Sequence, residues 1–158
     1  MKILKLTAKD FKDTNSYYKE YCGSENVTDF NGHLEIEGNL GWVKFTSVKV
    51  SGYIVVKAGS GIEAGEGIKA GLIITCKLSL KFAYRIFAGI CYWRKELKDE
   101  DKLITCGKFE GGEVAYGILK EIGLPKDKVA GETSEVLDLS DKEVEVYIDG
   151  KVYKAVIK

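Results

Sequence analysis

Residues 50–93 read VSGYIVVKAGSGIEAGEGIKAGLIITCKLSLKFAYRIFAGICYW, and nearly every second residue in them is apolar or small. The same alternation begins upstream, at Leu34. Neighbouring side chains of an extended chain point to opposite faces, so alternation keeps one face inward. A run from Leu34 to Tyr92 is too long for one strand: at ~3.3 Å per residue it would reach roughly 200 Å. The chain must turn repeatedly while the same face stays inside, which is the pattern of a β-solenoid.

A six-residue motif lies over the alternation. Divided into sixes from Leu34, the stretch gives LEIEGN, LGWVKF, TSVKVS, GYIVVK, AGSGIE, AGEGIK, AGLIIT, CKLSLK, FAYRIF and AGICYW. The fifth position carries Val50, Val56, Ile62, Ile68, Ile74, Leu80, Ile86 and Tyr92, and the first carries Ala58, Ala64, Ala70, Cys76, Phe82 and Ala88. The first, third and fifth positions are therefore expected to face the core. Lys44 and Glu66 put charges on that inward parity. Gly65 and Gly67 around Glu66 suggest a local outward bulge, and Lys44 marks a register irregularity. Gly41, Gly59, Gly65, Gly71 and Gly89 share the second position, as tight corners require. An ordinary antiparallel sheet would need hairpin punctuation, yet no Asn-Gly, Asp-Gly or Pro lies between Asn39 and Trp93.

The flanks read as caps on a single domain spanning 1–158, with an N-terminal cap at 1–33, the solenoid at 34–93 and a C-terminal cap at 94–158. The first cap opens on a strand from Lys2 to Leu6 and continues as a helical stretch, with Thr7 and Asp10 spaced as a capping box. The second begins with the charged loop RKELKDEDK and a strand over Leu103–Phe109. A helix is expected at about 112–122, with Val114, Ile118 and Ile122 at four-residue spacing and Gly123 as its stop. A hairpin is expected at about 143–157 around Asp149-Gly150, pairing Glu145 with Lys154, Val146 with Tyr153 and Tyr147 with Val152. The expected fold class is thus mainly β: a short β-solenoid of about ten hexads with α/β capping segments and a C-terminal β-hairpin. Such caps cover strand edges that would otherwise pair between molecules.

Composition bounds the function. Lys plus Arg and Asp plus Glu are both 24, so net charge is zero and neither nucleic acid nor membrane is recommended as a partner. The balance is uneven: +3 over residues 34–93, −3 over 94–158, and seven acids against Lys142 alone within 132–149. No apolar core of a signal peptide follows Met1, and four cysteines without paired spacing imply reduced thiols, so a cytoplasmic protein is expected.

Chemistry-bearing motifs are few. Gly59-Ser60-Gly61-Ile62-Glu63-Ala64 matches a dinucleotide fingerprint formally, but the alternation continues through Ile68 where that fingerprint needs a helix. His33 is the single histidine, which rules out clustered-histidine metal sites. No catalytic, cofactor-binding or metal-binding residue is assigned, and no cofactor is expected. On the outward parity, Val43, Phe45, Tyr53, Val55, Ile73, Phe87 and Trp93 form an apolar strip, the mark of a covering segment or a partner. Tyr53, Phe87 and Trp93 with Arg85 and Arg94 have the composition of an interface core. The acidic residues Glu132, Glu135, Asp138, Asp141 and Glu143 complete the candidate interface, since clustered carboxylates imitate phosphates.

The hexads invite comparison with the hexapeptide acyltransferases, which form left-handed β-helices. That family places a branched aliphatic residue first and a small residue fifth; here Ala58, Ala64 and Ala70 come first and Ile62, Ile68 and Ile74 fifth. The family also uses a histidine between coils as general base, and no residue within 34–93 plays that part. The strings AGSGIEAGEGIKAG, YRIFAG and CGKFEGGEVAYG more closely resemble small hexapeptide-repeat proteins of gut Gram-positive bacteria and their phages, over roughly residues 26–122. That resemblance implies a gene of mobile elements and an anti-defence role such as anti-CRISPR activity. Three functions follow as expectations. The first is a non-enzymatic module that binds a protein, such as a host nuclease, without contacting nucleic acid directly. The others are a self-assembling β-solenoid and a hexapeptide-type acyltransferase.

Overall fold

A computed structural model describes residues 1–14, 16–57, 59–125, 143–148 and 151–156, the last two stretches as backbone. The chain separates into two compact units, 1–128 and 129–158. The first contains β1 (Lys2–Leu6), β2 (Phe11–Asp13), β3 (Tyr18–Tyr21), β4 (Gly32–Ile36), β5 (Gly41–Phe45), β6 (Val48–Val50), β7 (Ile54–Val56), β8 (Ser60–Ala64), β9 (Ile68–Ala70), β10 (Ile74–Phe87), β11 (Leu103–Tyr116) and β12 (Ile118–Glu121). Short 3₁₀ turns occupy Ala8–Asp10 and Asp99–Lys102. The unit is mainly β and its strands form one curled sheet in which every pairing is parallel except that of β2 with β3.

Register follows from the repeat. Leu4, Leu34, Ile54, Ile74, Ile104 and Leu119 are successive partners along one ladder. Val43, Ile62, Leu80 and Phe109 align in a second, and Val48, Ile68, Ile86 and Val114 in a third. In the shortest strands, β6, β7 and β9, three residues set two inward side chains around one outward, with corners between them. Val48-Lys49-Val50 and Ile68-Lys69-Ala70 show the pattern: the aliphatic residues are buried and the lysines face out. The inward rows share one core in which Leu34, Ile54, Ile62, Ile74, Leu80, Ile86 and Ile104 are all fully buried. Each such side chain contributes about 1.5–3 kcal/mol relative to an exposed one.

The corners explain the glycines. A Cβ added to Gly71 would stand 1.9 Å from the Ser51 carbonyl oxygen of the preceding turn of chain, so only glycine fits there. Gly59 has φ +93°, in the left-handed region. Ser60 is fully buried beside it, its hydroxyl accepting from the Leu40 amide and donating to the Gly38 carbonyl, both at 2.9 Å.

Several expectations are corrected. The segment 112–122 is not a helix: it belongs to β11 and β12, Val114 pairs with Ile86, and Ile118 and Ile122 are exposed. Apolar residues four apart also share a strand face, so the spacing did not discriminate. The helical stretch after Leu6 is the single turn Ala8–Asp10, followed by β2 and β3; the Thr7–Asp10 pairing does form, with the Thr7 amide donating to the Asp10 carboxylate at 2.8 Å. No α-helix occurs among the described residues. Val43 and Phe45 face the core, not solvent, and Lys44 faces out. The inward sequence runs Leu40, Val43, Phe45, Val48, and its two three-residue steps shift the parity and then restore it. Glu66 is exposed at its glycine-flanked corner, in keeping with the outward bulge, whereas Tyr92, expected inside, is 85% exposed.

In the second unit, β13 (Glu143–Ile148) and β14 (Lys151–Val156) form an antiparallel pair in the expected register, Glu145 opposite Lys154 and Tyr147 opposite Val152. The turn at Asp149-Gly150 lies outside the described residues.

Candidate functional site: a groove over the third ladder

The outward rows differ between ladders. Across the second, Lys12, Glu20, Lys44, Glu63, Lys81 and Glu110 are successive cross-strand neighbours, alternating in sign throughout. Lys81 lies 3.2 Å and Lys44 3.7 Å from the Glu63 carboxylate, which holds the Lys81 ammonium above the ordinary lysine range. Across the first, Lys57 reaches Glu37 at 2.9 Å and Glu35 at 3.8 Å, and Lys5 reaches Glu37 at 3.5 Å. The hydrogen bond from Lys57 keeps the Glu37 carboxyl below the usual carboxylate range.

The third row is unlike these. Lys49 stands opposite Lys69, Lys69 opposite Phe87, and Phe87 opposite Tyr116. Asp29 pairs with Lys49, whose hydrogen bond lowers the Asp29 pKa, but no ion pair involves Lys69 among the described residues. Like charges placed directly opposite on neighbouring strands are destabilising. Above this row the connection from β10 to β11 makes an excursion. From Leu34 to Ile74 partners along the first ladder lie twenty residues apart, as in Ile54–Ile74, whereas Ile74 pairs with Ile104, thirty on. The extra chain forms a wall with Ile90, Tyr92, Trp93 and Leu97, and between wall and row lies a groove of about 970 Å³. Phe30, Phe87 and Tyr116 complete its apolar lining. Tyr92 and Trp93 meet edge to face at 5.3 Å, and the Trp93 ring reaches to Gly71, within 2.8 Å of where a Cβ would stand.

Phe87 and Trp93, two of the sequence candidates, thus line one site. Arg94 follows Trp93, but its guanidinium is tied to Asp101 at 2.7 Å and braces the excursion. Arg85 pairs with Glu113 at 3.3 Å and borders a smaller recess that shares Phe87. Tyr53 lies elsewhere, stacked on His33 with ring centroids 4.0 Å apart. Its hydroxyl donates to Glu35 at 2.8 Å, and its amide donates to His33 Nδ1 at 3.0 Å. Glu132, Glu135, Asp138 and Asp141 lie outside the described residues, and Glu143 is described only as backbone at the start of β13. Lys49, Lys69, Tyr92 and Tyr116 were not singled out from the sequence. A signal existed for the lysines, since each is the middle residue of an apolar triplet and they are one ladder step apart.

No three His, Cys, Asp or Glu side chains among the described residues are grouped to hold a metal, and no helix there is long and apolar enough to cross a membrane. No family model, curated protein or solved structure matches the chain.

Proposed function

We propose that the protein is a three-sided β-solenoid that acts as a non-enzymatic protein-binding module in the cytoplasm, with the groove over the third ladder as its binding surface. The observation that carries this reading is the groove itself: Phe87, Tyr92, Trp93 and Tyr116 are gathered in one concave site beside the long connection from β10 to β11. Binding residues concentrate on connections held by a rigid scaffold, and buried aromatics dominate interface energetics. The resemblance to repeat proteins of Gram-positive bacteria and their phages adds a partner class, a host defence nuclease, with an anti-CRISPR-like role. In that reading the acids from Glu132 to Glu143 compete for the nuclease's nucleic-acid channel, and the segments flanking the repeats act as caps.

The test is capture of a partner from a Gram-positive gut bacterium by the immobilised protein, set beside its Trp93→Ala and Phe87→Ser variants. A partner retained by the native groove, lost by both variants and bound again after purification supports the reading. Partners held equally by all three proteins, or none, remove it. A defence assay with Glu132, Glu135, Asp138 and Asp141 changed to amides tests the nuclease part separately.

A second reading is self-assembly, favoured by Ile3 on β1 and Ile118 on β12, both exposed on the terminal strands of the first ladder. Light scattering that stays monomeric at high concentration removes it. Acyl transfer would depend on His33, whose Nδ1 is occupied by the Tyr53 amide.

A further inference from the structure

We infer that the groove takes a short peptide segment carrying a carboxylate beside an apolar side chain, the carboxylate seated on Lys69 and the apolar group against Phe87 and Trp93. This rests on the groove being a protein-binding surface and adds what that surface selects.

The argument starts from the three outward rows. On the first two, Lys5, Lys44, Lys57 and Lys81 each meet a carboxylate from a neighbouring turn of chain, so these charges are neutralised within the fold. On the third, Lys49 and Lys69 are direct neighbours, and Asp29, the one acid on the groove's lining among the described residues, pairs with Lys49. Lys69 is half-buried and makes no ion pair among the described residues; the groove lining there sets Lys49 and Lys69 against Asp29, one cation in excess. Partial desolvation strengthens its attraction for an anion and raises the cost of leaving it unpaired.

The number of charges narrows the ligand. A nucleic-acid backbone presents a phosphate at every nucleotide and is held by several cations in a stripe. Lys49 and Lys69 against Asp29 leave one cation in excess beside aromatic and aliphatic walls, which suits one carboxylate with an apolar neighbour. The volume of about 970 Å³ holds a few residues of peptide. The groove lies over the outward face of a ladder and not along its edge, so side chains, and not added strand pairing, supply the contacts.

Trp93 reports on the site directly. The chain has two tryptophans, and Trp42 sits on the second ladder, so 5-fluorotryptophan gives one ¹⁹F signal in the groove and one control. The probes are Ac-Leu-Asp-Phe-NH₂, its Asn counterpart, and a thymidine octanucleotide. The expected result is that the Asp peptide moves the Trp93 signal with about tenfold greater affinity than the Asn peptide, as a charge pair in a partly dry site requires. Lys69→Gln should abolish that preference, Lys69→Arg should retain it, and Lys49→Gln, which frees Asp29 for Lys69, should weaken it. An unchanged Trp42 signal certifies that each variant is folded. Equal binding of the two peptides overturns the selectivity while leaving a protein-binding groove intact. A Trp93 response to the oligonucleotide alone overturns the peptide assignment, and one produced by concentrating the protein by itself makes a second copy the occupant. If no probe moves Trp93, both the inference and the groove reading fall.

Discussion

The Glu63 carboxylate and the Lys81 ammonium meet at 3.2 Å across neighbouring strands, and Lys44 approaches the same carboxylate from the strand on the other side at 3.7 Å. Only 15% of the Glu63 side chain is exposed, and this one acid serves lysines on both strands that flank its own. Glu63→Gln removes two cross-strand pairs and leaves cations on both flanks. The expected loss is about 1 kcal/mol, or roughly 3 °C in Tm. Lys81→Met in the Glu63→Gln background should cost less than in the native protein; strict additivity in this double-mutant cycle would show the pair to be uncoupled.

His33 should make stability depend on pH. Burial is the main cause that lowers its pKa below 6.5, and its Nδ1 already accepts the Tyr53 amide. The unfolded chain therefore takes up this proton more readily than the folded one. The stability contribution is whole above the ordinary histidine pKa and falls as pH drops through 6.5 towards the depressed folded value. Urea midpoints at about pH 7.5 and about pH 5.5 should differ in that direction, and His33→Gln should shrink the difference. An identical pH response in the variant would assign the effect to other groups.

Ser60→Ala strips a buried corner of its only bridge. The Leu40 amide and the Gly38 carbonyl would both lose the hydroxyl that links them at 2.9 Å. A loss of about 1–3 kcal/mol is expected, read as a lower urea midpoint at unchanged slope. Native-like stability would mean that water enters the corner and replaces the hydroxyl.

The cysteines should divide by depth. Burial pushes the Cys76 thiol up to about 12 and the Cys106 thiol up to about 11, and both side chains lie in the core. Cys22 is exposed. Under a thiol reagent near neutral pH, Cys22 should react in the native protein, while Cys76 and Cys106 should react only on unfolding. Rapid native labelling of Cys76 would contradict its place in the first ladder.

The alternation at Ile54, Val56, Ile68, Ala70, Ile74 and Cys76 made the inward face legible, because a strand of two inward residues around one outward is a purely local pattern. The hairpin register was equally legible, since Asp149-Gly150 and the flanking charges specify it without reference to the rest of the chain. Position 112–122 was misread because Val114, Ile118 and Ile122 satisfy helix and strand periodicities alike, and only pairing of Val114 with Ile86 decides between them. Val43 and Phe45 were misplaced because a fixed six-residue phase hides a corner of odd length. The groove was half-visible: Phe87 and Trp93 stood out as apolar residues where solvent was expected, but Lys49 and Lys69 become neighbours only when the chain is wound at twenty residues per step.

The thirty-residue step from Ile74 to Ile104 carries a consequence for how such a surface changes over time. The ladder resumes in register on the far side of the excursion, so nothing in the pairing fixes the length or composition of the stretch between Gly89 and Asp101. Insertions, deletions and wholesale replacement there leave the sheet untouched, much as hypervariable loops diverge on a constant framework. The wall of the groove is thus the part of this surface most open to change, and the sheet beneath it the part least so.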